Sequence, residues 1–254
     1  MTQYENEVKK RDVMCCMNAG NQGCGRKWSR MRIITDTGTD ILDKEAKKLG
    51  IELVAIRSNF TDTVFSENTE AEFTRFYDKL RQTDTLPVSS QPSPAEFLEL
   101  FEDAKEKQEE VVVITISSKL SGTYNGAMLA KDMAEYDNIY VVDSLQASLS
   151  ERLLVEYAVK LRDAGMGAKE LVRKLEQDRE RVILTGVPST LLYLKMGGRI
   201  SPVVAAVGGV IGIKPVLWLK DGVIESRSKA RGMRMAKSGM QSFLKDYEAD
   251  PAMP

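Results

Sequence analysis

Near the middle of the chain stands an almost unbroken β-branched run, Val111-Val112-Val113-Ile114-Thr115-Ile116. Polar alternation is absent from it, which suits a strand buried on both faces of a parallel sheet. Tyr124 to Tyr136 is rich in Ala, Met, Leu and Lys and predicts a helix. Between strand and helix lies Ser117-Ser118-Lys119-Leu120-Ser121-Gly122-Thr123. The same pattern opens earlier: Arg32-Ile33-Ile34-Thr35 is a short strand, Asp36-Thr37-Gly38-Thr39-Asp40 a polar loop, and Ile41 to Gly50 a helical stretch with Gly50 as its C-cap. Ile51 to Ile56 reads as a second strand, completing a βαβ unit that predicts a parallel sheet. Ile139-Tyr140-Val141-Val142 is a further buried-type strand, ending in Asp143-Ser144.

Two helices fill the interval before the central strand. Thr69 to Gln82 places Phe73, Phe76, Tyr77 and Leu80 on one face. Pro94 to Lys107 follows Ser93, an N-cap with Pro94 in the first turn and Glu96 three positions on. The stretch from Pro87 to Pro94 reads as a stiff loop that presents Ser89 and Ser90. Beyond Ala147 the character changes. Ala147 to Ala164 and Ala168 to Arg179 predict helices, and Arg181 to Thr185 a strand. Lys214 to Leu219 and Val223 to Lys229 flank Asp221-Gly222, a two-residue hairpin signal. Ala230 to Tyr247 predicts a last helix, and Asp250 to Pro254 a frayed tail. The expected division is a leader over 1–30, an α/β lobe with a parallel sheet over 31–146, and a helix-and-hairpin lobe over 147–254.

Composition narrows the chemistry. The chain has 254 residues, 36 basic against 37 acidic side chains, and a formal charge of −1. That balance gives no sign of a nucleic-acid binder. Histidine is absent, which excludes Ser-His-Asp and Cys-His machinery and any His-based zinc site. Cys15, Cys16 and Cys24 all lie in the first 25 residues and make neither a metal set nor a disulfide framework. Met1 to Arg30 lacks the apolar core of a secretory signal; it reads as a disordered or appended leader, with Met31 as a natural start. Ile200 to Ile213 is uncharged but short for a membrane span and interrupted by glycines and a proline. The expectation is a soluble, cytoplasmic protein without stable membrane insertion.

Candidate chemistry gathers at strand ends. Ser117 to Thr123 offers four hydroxyls and a lysine where a strand hands over to a helix, the place at which open α/β sheets take ligands and helix N–H groups attract negative charge. A capping turn is the plainer reading; the second hydroxyl loop at Ser89-Ser90 favours an anion cradle. Asp36 with Asp143 is the one acid pair that could hold a metal. Arg227, Lys229, Arg231, Arg234 and Lys237 form a basic set, either a solvated face or a dock for an acidic partner surface or a phosphate.

Several segments together resemble the DegV family: Ser89-Ser90-Gln91-Pro92-Ser93, Ser117 to Tyr124, Val142-Asp143-Ser144, Tyr193-Leu194 to Ser201, Gly208 to Leu217, and Lys229 to Gly232. Their order and spacing agree from Met31 to about Tyr247. The resemblance implies a two-lobed α/β fold and a bacterial fatty-acid-binding protein. Several members serve as the binding subunit of a fatty acid kinase, presenting the acid to a separate kinase protein for acyl-phosphate formation in phospholipid metabolism. Carried over by position, Ser121 and Ser89 hold the carboxylate, Ser89 standing where the family usually has threonine. Ser117, Thr123, Arg199 and Lys214 fall in segments placed near the ligand or partner. Val203 to Ile213 is either a smooth wall for the acyl chain or a packed core helix. The family usually continues with a further strand–helix unit and a glycine-rich segment bearing a histidine; this chain ends at Pro254, so the second lobe is expected to be incomplete.

Two functional classes follow. One is a non-catalytic lipid carrier with no cofactor, its ligand a long-chain fatty acid. The other is an enzyme acting on an anionic small molecule, phosphotransferase-like, at the strand-end cleft. The second wants a nucleotide loop, and no Gly-x-x-x-x-Gly-Lys-[Ser/Thr] sequence occurs here. The carrier is preferred.

Overall fold

The computed structural model describes residues 31–83, 85–200 and 212–247. The expected leader over 1–30, most of the Val203–Ile213 wall and the tail over 250–254 lie outside the described residues. In chain order the elements are β1 (Met31–Asp36), a 3-10 turn (Thr37–Thr39), α1 (Asp43–Leu49), β2 (Glu52–Val54), β3 (Arg57–Asn59), β4 (Val64–Phe65), α2 (Glu70–Gln82), β5 (Val88–Ser90) and α3 (Pro94–Glu106). There follow β6 (Glu110–Thr115), α4 (Thr123–Ala134), β7 (Ile139–Asp143), α5 (Leu149–Asp163), α6 (Ala168–Asp178) and a 3-10 turn (Arg179–Arg181). The chain then gives β8 (Leu184–Gly186), α7 (Leu192–Met196), β9 (Ile213–Lys220), β10 (Val223–Arg231) and α8 (Gly232–Leu244).

The fold is α/β, and its centre is a parallel sheet in the order β2-β1-β6-β7. The unbroken apolar run of β6 is explained by its two neighbours and its two faces. Val111 and Val113 join Ile34 against Phe97 and Phe101 of α3 and Ala127 and Ala130 of α4. Val112 and Ile114 join Ile33 and Val142 against Leu154 and Ala158 of α5 and Leu171 of α6. Both sides of the strand are dry, so alternation would have left polar atoms unpaired. The packing thus crosses the boundary expected near Ala147: α5 and α6 supply the second layer of the sheet built from the first half.

β1 leads outward through α1 to β2, and β6 leads the opposite way through α4 to β7. The loops after β1 and β6 therefore diverge and open a crevice at their carboxyl ends. The Ser93 start of α3 is as expected: Glu96 Oε2 accepts from the Ser93 amide and hydroxyl, both at 2.9 Å. Gly50 ends α1 in the left-handed region at φ 60°.

A second small sheet, β4-β3-β5, is antiparallel. The stretch expected as a loop from Pro87 to Pro94 contains β5, whose Ser89 pairs with Ser58 of β3. Local sequence could not reveal it, because three residues become a strand only when a partner supplies the ladder. Phe60, Phe65 and Phe76 close this sheet with edge-to-face contacts at 5.5–5.8 Å.

The third sheet is antiparallel in the order β10-β9-β8. Its hairpin turns at Asp221 and Gly222, with φ of 49° and 83°, both left-handed as the tight two-residue turn requires. Two boundaries move. The strand expected over Arg181–Thr185 begins at Leu184, after the Arg179–Arg181 turn. The last helix begins at Gly232, because Ala230 and Arg231 remain paired with Lys214 and Ile213. Arg231 consequently lies on a strand, off the helical row of Arg234 and Lys237.

Phe101 is fully buried between α3 and the sheet. Phe101→Ala should lower the unfolding free energy by about 3–5 kcal/mol, measured by denaturant titration; a loss below about 1 kcal/mol would mean that this side chain is not part of the core.

Candidate functional site

The Ser117–Thr123 turn leaves β6 at the crevice, and its backbone is pinned from both neighbouring strands. Asp36, at the end of β1, is fully buried. Its Oδ1 accepts from the Gly38 amide and its Oδ2 from the Ile116 amide, each at 2.8 Å. Asp143, at the end of β7, uses one oxygen twice: Oδ1 accepts from the amides of Ser118 and Leu145, each at 3.1 Å. The acid pair considered for a metal is thus occupied with backbone amides. Among the described residues no cluster of three or more His, Cys, Asp or Glu side chains is arranged to hold a metal ion.

The other amides of the turn are also engaged. Ser117 N donates to Gln146 O at 2.8 Å, Lys119 N to Ser117 Oγ at 3.2 Å, and Leu120 N and Ser121 N to Ser117 O at 2.9 and 3.1 Å. From Ile116 to Ser121 every backbone donor is taken. What the turn presents to a ligand is side-chain hydroxyl, not a row of free N–H groups.

Each expected site residue can now be placed. Ser117 is buried and its hydroxyl donates to Gly222 O at 2.8 Å, which fastens the β9–β10 hairpin to the turn. A Cβ on Gly222 would stand 2.5 Å from that hydroxyl, so glycine is required both for contact and for φ. Ser121 is half-buried, with its Oγ 2.9 Å from Thr123 Oγ1 and accepting from Thr123 N at 3.4 Å. Thr123 is fully buried at the start of α4. Gln91, two residues after Ser89, lies directly against Gly122: a Cβ there would collide with Gln91 Oε1. That contact brings the loop of Ser89 to the turn of Ser121. Ser89 itself is exposed on β5.

Arg199 also reaches the turn, donating from Nε to Leu120 O at 3.2 Å and from Nη1 to Gly197 O. Lys214 does not: its Nζ donates to Ser189 O at 2.7 Å, within the third sheet's surroundings. In the basic set, Arg227 stacks over Trp218 and Phe243, 5.6 and 5.0 Å from the ring centroids.

Two hollows bear on this junction, one beside Ile116 and Gly38 and one reached through Leu194, whose carbonyl accepts from Arg199 N. One, of about 370 Å³, lies on the face of the third sheet turned away from α8, with Leu184, Gly186, Leu217, Leu219 and Ile224 on its floor and Leu194 of α7 over it. The opposite face carries Trp218, packed edge-on to Phe243 of α8 at 5.5 Å. A Cβ on Gly186 would meet nothing within 4 Å, so this glycine leaves room rather than filling a contact. The other cavity, of about 340 Å³, has Ser58, Phe65 and Phe76 on one side and Gly38 and Ile116 on the other, with Asp40, Glu67 and Glu72 in its wall. Ser58 and Gly186 were not singled out in the sequence. Ser58 becomes visible only through its register opposite Ser89.

Glu151, in the first turn of α5, was also missed. It is fully buried and neither carboxyl oxygen has a hydrogen-bond partner. It crowds Gly38 together with Asp36: a Cβ there would lie 2.6 Å from Asp36 Oδ1 and 3.2 Å from Glu151 Oε2. Desolvation pushes Asp36 up to about 6, against the pull of its two amide donors. Desolvation also raises Glu151 well above the usual carboxylate range, and the charges of Asp36, Asp40 and Asp143 push the same way.

The family model described as "Uncharacterised protein, DegV family" matches residues 30–254. A DegV domain-containing protein of Caldanaerobacter subterraneus is 31% identical over 221 residues, covering 87% of this chain and 79% of the relative. Among solved structures, a fatty-acid-binding DegV family protein from Thermus thermophilus is 31% identical with a TM-score of 0.76, over 85% of this chain and 77% of that one. The Streptococcus pneumoniae fatty acid kinase (Fak) B3 protein, loaded with linoleic acid, is 28% identical with a TM-score of 0.74, over 85% and 78%.

The buried acids set a pH dependence. Both hold their protons to higher pH in the fold than in the unfolded chain, so the folded state binds more protons across the intervening window. Stability therefore falls as pH rises through it; for Asp36 the window runs from 3.8 to about 6. Glu151→Gln removes one titration while keeping the shape. Its melting temperature should exceed that of the wild-type chain most at pH 7.5, with the difference shrinking towards pH 4.5. A constant difference across that range would show that Glu151 does not titrate abnormally.

Proposed function

The chain belongs to the DegV family, and from that premise we propose that it binds a long-chain fatty acid and presents it to a separate fatty acid kinase. The carboxylate lies between the hydroxyls of Ser89 and Ser121, with Thr123 behind Ser121 and the Arg199 guanidinium beside the turn. The acyl chain runs into the apolar cavity between the third sheet and α7. The observation that carries this reading is the bond from Arg199 to Leu120 O. It ties the hydroxyl turn to the segment that follows Leu194, the residue over that cavity, and so supports a path from a polar mouth to an apolar slot.

The energetics suit a carrier. About a dozen buried methylenes gain on the order of 10 kcal/mol at ~0.8 kcal/mol each, of which ordering of chain and ligand takes back a large share. The head group then needs only to be relieved of the cost of burial without partners. Hydroxyl donors and a nearby guanidinium supply that, charge-assisted bonds being the stronger kind. The 340 Å³ cavity is the poorer slot for hydrocarbon, since Asp40, Glu67 and Glu72 stand in its wall. No catalytic step is required of this chain; the phosphoryl chemistry belongs to the kinase, and the cytoplasmic setting follows from that partnership. The basic set from Arg227 to Lys237 and the segment of Lys214 are the surfaces offered to it.

Mass spectrometry of an organic extract of the purified protein should find a co-purified long-chain acid. Metal-dependent nucleotide turnover with no bound lipid would instead support the phosphotransferase alternative. Ser121→Ala should weaken fatty-acid binding by roughly ten- to a hundredfold, the worth of about 1.5–3 kcal/mol for a hydrogen bond to a charged group; unchanged affinity removes Ser121 from the site. Gly186→Phe, placed where a side chain finds open space, should exclude long-chain acids while short ones still bind. Equal loss for all chain lengths, or none, would move the acyl slot elsewhere.

A further inference from the structure

We propose that Asp36 and Asp143 are the positioning residues of the ligand-binding turn, acting on bound carboxylate only through the backbone amides they hold, and that the two differ in how many oxygens they need. The proposal rests on the fatty-acid reading above and names what aligns its Ser121 hydroxyl.

The turn has no ladder of its own. β6 ends at Thr115, which is in register with Asp143, and Ile114 is in register with Thr35 of β1. Beyond that level Ser117 N finds Gln146 O, but the amides of Ile116 and Ser118 on either side of it would be left unpaired at the crevice floor without a side-chain acceptor. The residues that close the flanking strands replace the missing ladder from either side, Asp36 at Ile116 and Asp143 at Ser118. Ser121 then hangs from this fixed stretch through its bond to Ser117 O. A shift of the stretch moves the Ser121 hydroxyl by a comparable distance.

The two clamps are chemically distinct. Asp143 accepts both of its bonds on Oδ1. Asparagine offers the same carbonyl oxygen at that place, so Asp143→Asn keeps the clamp while removing a negative charge from the neighbourhood of an anionic ligand. Asp36 spends one oxygen on Gly38 and the other on Ile116. Asparagine there must turn an NH₂ group towards an N–H, and one bond becomes a clash of donors. Asp143→Ala removes the acceptor altogether.

The test uses the whole chain with oleate as probe, measuring affinity together with hydrogen exchange at the Ile116 and Ser118 amides, each variant first shown to be folded by its melting curve. Asp143→Asn should bind oleate at least as tightly as the wild-type chain and keep Ser118 protected. Asp143→Ala should lose that protection and bind at least tenfold more weakly. Asp36→Asn should lose protection at Ile116 or Gly38, with weaker binding. If Asp143→Asn is as damaging as Asp143→Ala, the charge and not the clamp matters, and the proposal is overturned. It is equally overturned if Asp143→Ala frees the Ser118 amide without loss of affinity. A wild-type chain that binds no long-chain acid overturns the fatty-acid reading instead; the amide protection then still decides whether the aspartates hold the turn.

Discussion

A carboxylate taken out of water to hold two backbone amides is the constraint on which this molecule turns. Asp36 sits with no solvent exposure at the end of β1, where its charge is opposed by burial and favoured by the Gly38 and Ile116 amides. The opposition wins in part, and the group keeps an elevated proton affinity. Without it, however, two amides at the floor of the crevice would face each other across diverging loops with no acceptor between them. The diverging strand order creates the opening and the need for such an acceptor at once.

Around that point three separate pieces of chain converge, and they do so by backbone and by small residues. The hairpin arrives at Gly222, whose carbonyl takes the Ser117 hydroxyl. The segment after α7 sends Arg199 to the Leu120 carbonyl. The loop after β5 lays Gln91 on Gly122. Glycine at 122 and 222 is what allows these approaches, since a side chain at either would occupy the space of its visitor. The polar mouth is therefore an assembly of elements far apart in sequence, with the buried sheet as their common base.

The sheet was legible in the sequence because burial on both faces writes itself as an unpunctuated apolar run, as in Val111 to Ile114. The caps were legible for the same kind of reason: Ser93 with Glu96 and Gly50 are local devices, complete within one turn of helix. The DegV membership was likewise readable from its motifs. What could not be read was anything that depends on a partner brought from afar. β5 is three residues long and exists through β3; the start of α8 is delayed because Ala230 and Arg231 have partners in β9. The reach of α5 and α6 across the expected boundary near Ala147 belongs with these. Glu151 is the sharpest instance, since a glutamate in the first turn of a helix is ordinarily a solvated, favourable residue, and only the packing of α5 on the β1 loop buries it.

The small sheet that bears Ser89 has a nucleus of its own in Phe60, Phe65 and Phe76, separate from the two apolar layers around the parallel sheet. It meets the body of the parallel sheet through polar contacts instead, Arg57 on Glu96 of α3 and Ile56 N on the Thr37 hydroxyl, so the seam between the Ser89 and Ser121 sides is held by directional bonds rather than by shared hydrocarbon.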